Sequence, residues 1–120
     1  MNVRGHALVI PTAEEILRFK AWLAVTRNQT RDYIDIAALA DRIGITEAAG
    51  VLRGIDEYYA DINSRPEAVA TQVVRQLADP RPRDPEVTRQ LDAYKALDQR
   101  WQDWDEIKSV LARLAEEMTR

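Results

Sequence analysis

The chain has 120 residues, of which 46% are hydrophobic and 31% charged, and a formal net charge of −3; these values fit one folded domain and argue against a general nucleic-acid binder. It contains no cysteine and one histidine, which excludes disulfides, thiolate nucleophiles and a metal site built from histidines alone. Because no run of about 18 apolar residues and no signal-type apolar region occurs, we expect a cytoplasmic protein with no membrane partner.

The N-terminal segment, residues 1–11, is predicted to be a strand or an arm in front of a helical domain. Its apolar run HALVI, residues 6–10, precedes Pro11 and has the length of a short strand. A lone strand needs a partner for its backbone edge, and no other segment is an obvious strand. We therefore expect that partner to come from upstream or from another chain.

Two helices follow and form a hairpin. Thr12 and Glu15 have the spacing of a capping box, which predicts a first helix from Thr12 to about Arg27. Residues 28–30 form a tight turn. The second helix is expected to end before Gly44, a residue type that favours the position after a helix.

The middle of the chain predicts two further helices. Thr46 is expected to cap a third helix, and Pro66 to lie in the first turn of a fourth. The apolar stripe of the third helix comprises Ala48, Leu52, Ile55, Tyr59 and Ile62, and that of the fourth comprises Val69, Val73 and Leu77.

A proline-rich linker, residues 79–85, separates these helices from the last two, because three prolines in seven positions are incompatible with a helix. Its arginines, Arg81 and Arg83, are expected to be solvated. Asp84 is predicted to cap a fifth helix that starts at Pro85. The apolar stripe of the last helix comprises Trp104, Ile107, Leu111, Leu114 and Met118. The predicted fold is therefore all-α, a compact single-domain bundle of about six helices.

Charged residues interrupt the apolar stripes of the predicted hairpin. Lys20 and Arg27 share a stripe with aliphatic residues on the first helix, and Asp32 and Asp35 do so on the second. Burial of an unpaired charge costs several kcal/mol, of the order of 3–5, so these groups must pair, reach water or line a site. A Lys20–Asp35 contact across the hairpin is geometrically reasonable, and Arg31 has the i,i+4 spacing to pair with Asp35.

Two interpretations of these charges remain open at this point. In the first, they form an ion-pair network that fixes the register of the hairpin. In the second, they form a nucleotide or phosphate site in which lysine and arginine hold the phosphates and an aspartate orients the lysine or a metal-bound group.

The order of these residues resembles the C-terminal helical part of the AbiEii/AbiGii group of nucleotidyltransferase-like toxins from toxin–antitoxin systems. The similar run covers about residues 7–45 and consists of a lysine helix followed by an Arg-x-x-x-Arg-Asp-x-x-Asp-Ile pattern over residues 27–36. The resemblance implies that Lys20 and Asp32 face a nucleotide, supported by Arg27, Arg31 and Asp35.

The catalytic half of such an enzyme is missing from this sequence. No Gly-Ser dipeptide with a following pair of metal-binding aspartates occurs, so two-metal chemistry has no ligands. We therefore expect no catalytic residue, no metal and no certain cofactor, with nucleotide and Mg²⁺ binding only beside a catalytic partner domain. The expected role is interaction with a partner protein chain or with a second copy as a homodimer; the alternative is the nucleotide-binding half of a split enzyme.

A third interpretation is a helix-turn-helix DNA-binding regulator formed by residues 36–55 around Gly44. Its would-be recognition helix carries mostly acidic side chains with Arg53 as the single arginine, and phosphate would repel such a helix. Nucleic acid is therefore not expected as a partner.

Overall fold

The computed structural model describes the backbone of residues 2–3, 6–7 and 10–120 and the side chains of residues 10–120. In this part of the chain, five α-helices have nine or more residues and two consist of a single turn. The elements are β1 (Asn2–Val3), β2 (His6–Ala7), α1 (Ala13–Thr26), α2 (Thr30–Ile43), α3 (Ile45–Arg53), α4 (Asp56–Tyr59), α5 (Val69–Ala78), α6 (Pro85–Thr88) and α7 (Trp104–Met118). Short 3₁₀ turns cover Ala60–Ile62, Leu91–Ala93 and Gln99–Gln102. The predicted all-α fold is confirmed.

The predicted N-terminal strand has its partner within the chain. Strands β1 and β2 pair antiparallel, with Asn2 opposite Ala7 and Val3 opposite His6. The expectation that a partner must come from elsewhere is therefore wrong. The rest of the predicted strand, residues 8 and 9, lies outside the described residues, and Ile10 is not in a strand.

Local capping signals define the ends of the α1–α2 hairpin. At the start of α1, the Thr12 backbone N–H donates to Glu15 Oε1 over 2.9 Å, and the Glu15 N–H donates to Thr12 Oγ1 over 3.1 Å. The bond from the Thr12 backbone N–H to the Glu15 carboxylate holds the pKa of Glu15 below its usual value. At the end of α2, Gly44 has a φ of 108°, a conformation that favours glycine. The predicted capping box and the glycine stop are both confirmed.

The middle helices begin and end differently from the prediction. Helix α3 starts at Ile45, with Gly44 rather than Thr46 at the N-cap, and ends at Arg53. The predicted long stripe is therefore divided among α3, α4 and the 3₁₀ turn that follows. Helix α5 starts at Val69 rather than near Pro66. The reason is a distant carboxylate: Asp56 accepts hydrogen bonds from the backbone N–H groups of Val69 and Ala70, at 2.7 and 3.0 Å.

The core lies between α7 and the helices that surround it. Helix α7 packs against α2, α3 and α5, while α1 packs against α2, α3 and α5. The apolar face of α7 is buried as predicted, apart from Trp104, which is half-buried and meets the ring of Tyr33 edge-on at 6.3 Å. The buried residues of α7 are Ile107, Val110, Leu111, Leu114, Ala115 and Met118.

The predicted linker, residues 79–85, is one residue shorter in the structure, because Pro85 begins α6. The remaining proline-rich segment, residues 79–84, contains no helix but is docked on the turn between α1 and α2. The Arg83 N–H donates to the Asn28 carbonyl oxygen, and the Asn28 side chain donates to the Arg81 carbonyl oxygen, both over 2.8 Å. Asp84 Oδ1 accepts from the Thr30 N–H at 2.8 Å and from the Thr30 hydroxyl at 2.7 Å. Asp84 therefore caps α2, and the prediction that its side chain caps the helix starting at Pro85 is wrong.

Candidate functional site

At the turn end of the hairpin, Arg27 and Asp32 form a two-point ion pair. Arg27 Nε and Nη2 donate to the two carboxylate oxygens of Asp32 over 3.2 and 2.6 Å. The Asp32 side chain is completely buried, whereas that of Arg27 is 43% exposed. The Gln29 N–H adds a third, longer bond to Asp32 at 3.4 Å. Bonding to Asp32 raises the pKa of Arg27.

Farther along the hairpin, Lys20 Nζ lies 2.8 Å from Asp35 Oδ2. This contact was expected from the spacing and is confirmed. Both side chains are partly exposed, at 24% and 35%, and they line a surface cleft of about 510 Å³ together with Asp41, Arg42, Asp98 and Trp101. Arg31 does not form the expected pair with Asp35 in the described part of the chain, because the Asp35 carboxylate pairs with Lys20 instead. Arg31 instead borders a separate groove beside α6.

The five predicted residues therefore form two separate ion pairs and one surface arginine. A nucleotide-facing wall would need Lys20 and Asp32 to open onto one cleft, but the Asp32 carboxylate is buried under Arg27. This geometry fits the interpretation in which the charges fix the hairpin. Binding of phosphate by Lys20, Arg27, Arg31, Asp32 and Asp35 stays a prediction.

A partly buried polar network that the sequence did not predict lies next to this turn. The Tyr33 hydroxyl donates to Asn28 Oδ1 and accepts from Gln76 Nε2 at 2.9 Å, and Gln76 also donates to the Ala24 carbonyl oxygen at 2.7 Å. The Tyr33 side chain is fully buried, and this burial raises its pKa. The network joins α1, α2 and α5 at one point. Asn28, with a φ of 53°, is the non-glycine residue in the left-handed region that marks this turn.

The network forms part of a cleft of about 420 Å³ whose rim carries four arginines, Arg65, Arg75, Arg81 and Arg83. Arg75 pairs with Glu67 and Arg81 with Asp79. The Glu67 bond raises the pKa of Arg75, and the same bond lowers the pKa of Glu67. Arg65 donates to the neutral Gln72 side chain over 2.8 Å. We call this feature the arginine cleft.

Helix α3 lacks the basic recognition surface that the helix-turn-helix interpretation requires. Its single arginine, Arg53, donates to the Glu117 carbonyl oxygen near the end of α7 over 2.9 Å. The buried face of α3, with Ala48, Ala49 and Leu52, packs into the core. A helix with this charge pattern offers nothing for a DNA phosphate to contact.

Comparison with known proteins relates the chain to mycobacterial transport proteins. It is 38% identical, over an alignment of 117 residues that covers 94% of its length, to the mycolic acid-containing lipids exporter MmpL11 of Mycolicibacterium smegmatis. It is 46% identical over 80 residues to the heme uptake protein MmpL11 of Mycobacterium tuberculosis, and 42% identical over 80 residues to the probable transport protein MmpL11 of Mycobacterium leprae. The chain spans only 8–12% of the length of these relatives. No family model and no solved structure matches it.

These relatives correct several predictions. The resemblance to AbiEii/AbiGii nucleotidyltransferase-like toxins is wrong, because the similar proteins are transporters and none is a nucleotidyltransferase. The functions derived from that resemblance, and the helix-turn-helix alternative, are wrong for the same reason. The cytoplasmic location is contradicted as well, because the relatives are membrane transporters.

Two direct observations on the described residues accompany this similarity. Within residues 10–120, every helix is too short or too polar to cross a bilayer. In the same part of the chain, no three histidine, aspartate or glutamate side chains are grouped so that they could hold a metal ion.

Proposed function

We propose that this chain acts as a helical accessory module of an MmpL11-type transporter, needed for transport but separate from the membrane-crossing path. The observation that carries the proposal is the 38% identity to the Mycolicibacterium smegmatis exporter over 94% of the chain. Because the matched region is about an eighth of that protein, the chain corresponds to one segment of a much longer transporter.

The described helices support a role beside the bilayer rather than within it. Their buried faces point into a common core, and the helix surfaces carry ion pairs such as Lys20–Asp35 and Arg100–Asp41. A lipid-facing helix would instead present apolar side chains outward. The partner in this proposal is the remainder of the transporter, and the cargo is that of the transporter to which the module belongs.

The test is a domain exchange in Mycolicibacterium smegmatis that lacks its own MmpL11. The strain receives the intact exporter, the exporter without the segment similar to this chain, or the exporter with that segment replaced by this chain. We expect the deletion to reduce export of mycolic acid-containing lipids and the replacement to restore it, at equal exporter levels on an immunoblot of membranes. Full export by the deletion, or failure of an equally abundant replacement to restore export, would overturn the proposal.

A further inference from the structure

The arginine cleft concentrates positive charge on an acidic protein. The whole chain has a net charge of −3, yet the four arginines of the cleft meet only two carboxylates, Glu67 and Asp79, in the part of the chain that the structure describes. The cleft thus keeps a formal charge of about +2. A guanidinium is never deprotonated in this setting, so the charge is independent of physiological pH.

The chain builds this cleft from distant segments. Arg65 precedes α5, Arg75 lies on α5, and Arg81 and Arg83 come from the proline-rich segment that Asn28 holds in place. Two arginines, Arg65 and Arg83, form no ion pair within the described residues, so their guanidinium groups have donors available. The hydrogen-bonded Asn28, Tyr33 and Gln76 side chains border the same cavity.

We propose that the arginine cleft binds a phosphate group, with Arg65 and Arg83 as the principal ligands. A planar guanidinium donates two parallel hydrogen bonds to phosphate oxygens, which makes arginine suited to this anion. The cavity, about 420 Å³, has room for a phosphate and a small esterified group such as glycerol. The source is either a free phosphate ester or the headgroup of an anionic lipid. This inference does not rest on the proposed transport role.

The experiment follows side-chain and backbone NMR signals of the ¹⁵N-labelled chain during titration with inorganic phosphate and with glycerol 3-phosphate. A flotation assay in parallel compares vesicles of phosphatidylcholine with vesicles that also contain phosphatidic acid. We expect saturable shifts at Arg65 and Arg83 and at the side-chain amides of Asn28 and Gln76. Co-flotation with phosphatidic acid would identify a lipid headgroup as the source, whereas binding of the soluble ester alone would identify a free phosphate ester.

Two matched double variants distinguish phosphate binding at the arginine cleft from general electrostatic attraction. Arg65→Gln with Arg83→Gln removes the two ligands, and Arg89→Gln with Arg113→Gln removes two exposed arginines outside the cleft. We expect the first to weaken phosphate binding by at least about tenfold and the second to leave it unchanged. The single Arg83→Gln variant guards against misfolding, since Arg83 helps to dock the segment through its backbone N–H, which the substitution keeps. No saturable binding, or equal weakening by both double variants, would overturn the proposal.

Discussion

Two regions of the charged hairpin, its turn end and its middle, hold their carboxylates in different ways. At the turn end, formed by residues 27–33 with the docked segment 79–84, Asp32 is buried and bonded by two arginine nitrogens and a backbone N–H. In the hairpin middle, Lys20 and Asp35 make one contact at the wall of an open cleft. The same residue types at helical spacing thus give a buried structural bond in one place and a solvent-screened pair in the other.

The difference lies in the burial of the two carboxylates. The Asp32 side chain is completely buried beneath Arg27, whereas the Asp35 side chain is 35% exposed. Water is excluded from the Asp32 carboxylate, so its bonds are strong and their loss is costly. Water reaches Lys20 and Asp35, which weakens their attraction. Burial of the carboxylate, rather than the charge pattern, decides which pair stabilises the fold.

The largest expected effect comes from Asp32→Ala at the turn end. We expect the free energy of unfolding to fall by about 3 kcal/mol, because the change removes the bonds to Arg27 and Gln29 and leaves a small cavity. Urea unfolding followed by circular dichroism measures the change. A loss no larger than that of Asp35→Ala would remove the distinction between the two regions.

The next effect is expected from Asp84→Ala, which removes the distant cap of α2. The buried Thr30 then loses the acceptor of its N–H and hydroxyl groups, and we expect a loss of about 2 kcal/mol. The matched control is Asp79→Ala in the same segment, where the exposed pair with Arg81 predicts a change within about 0.5 kcal/mol. Equal melting temperatures for the two variants would show that the cap does not stabilise α2.

A smaller and pH-dependent effect is expected from Tyr33→Phe. Loss of the hydroxyl leaves Asn28 Oδ1 without its phenol donor, which costs about 1 kcal/mol at neutral pH. Because burial raises the pKa of Tyr33, its neutral form stabilises the fold at every pH below the unfolded value near 10, and this contribution is lost as pH rises above that value. The variant lacks this alkaline loss, so the stability difference between wild type and variant shrinks above about pH 10. A difference that stays constant up to pH 11 would contradict the assignment.

The smallest effect is expected from Asp35→Ala in the hairpin middle. The pair with Lys20 is partly exposed, so its loss is expected to cost less than about 1 kcal/mol and to vanish in about 1 M salt. Denaturation in low and high salt measures both quantities, and Asp32→Ala serves as the reference whose effect persists in salt. A cost that is unchanged by salt would place Lys20 and Asp35 in the same class as the buried pair.

The sequence predicted the features that depend on short spacings. The capping box at Thr12 and Glu15, the stop at Gly44, the Lys20–Asp35 contact and the apolar stripe of α7 involve either near neighbours or a simple hairpin geometry. The missed features depend on residues far apart in the chain. Asp84 bonds Thr30 across 54 positions, and Asp56 bonds Val69 across 13, and no local rule assigns a cap to such a distant carboxylate.

The functional prediction failed for the same reason, because local sequence patterns do not reveal contacts between distant segments. The charges at residues 20–35 resemble a nucleotide site only through short motifs, and the same residues also fit an ion-pair network that fixes the hairpin. The network of Asn28, Tyr33 and Gln76 and the arginine cleft were not visible, because they require α5 and the proline-rich segment to fold back on the turn. A composition without long apolar runs predicted a cytoplasmic protein, although the chain is similar to only one part of much longer transporters.

The cap that Asp84 provides for α2 has a consequence for the order of folding during synthesis. Helix α2 is complete in sequence at Ile43, but the carboxylate that satisfies its first turn is translated some 40 residues later. Until that residue leaves the ribosome, the start of α2 can fray and the turn beside it stays open to water. The nascent chain therefore completes the cap of α2 only when its second half arrives.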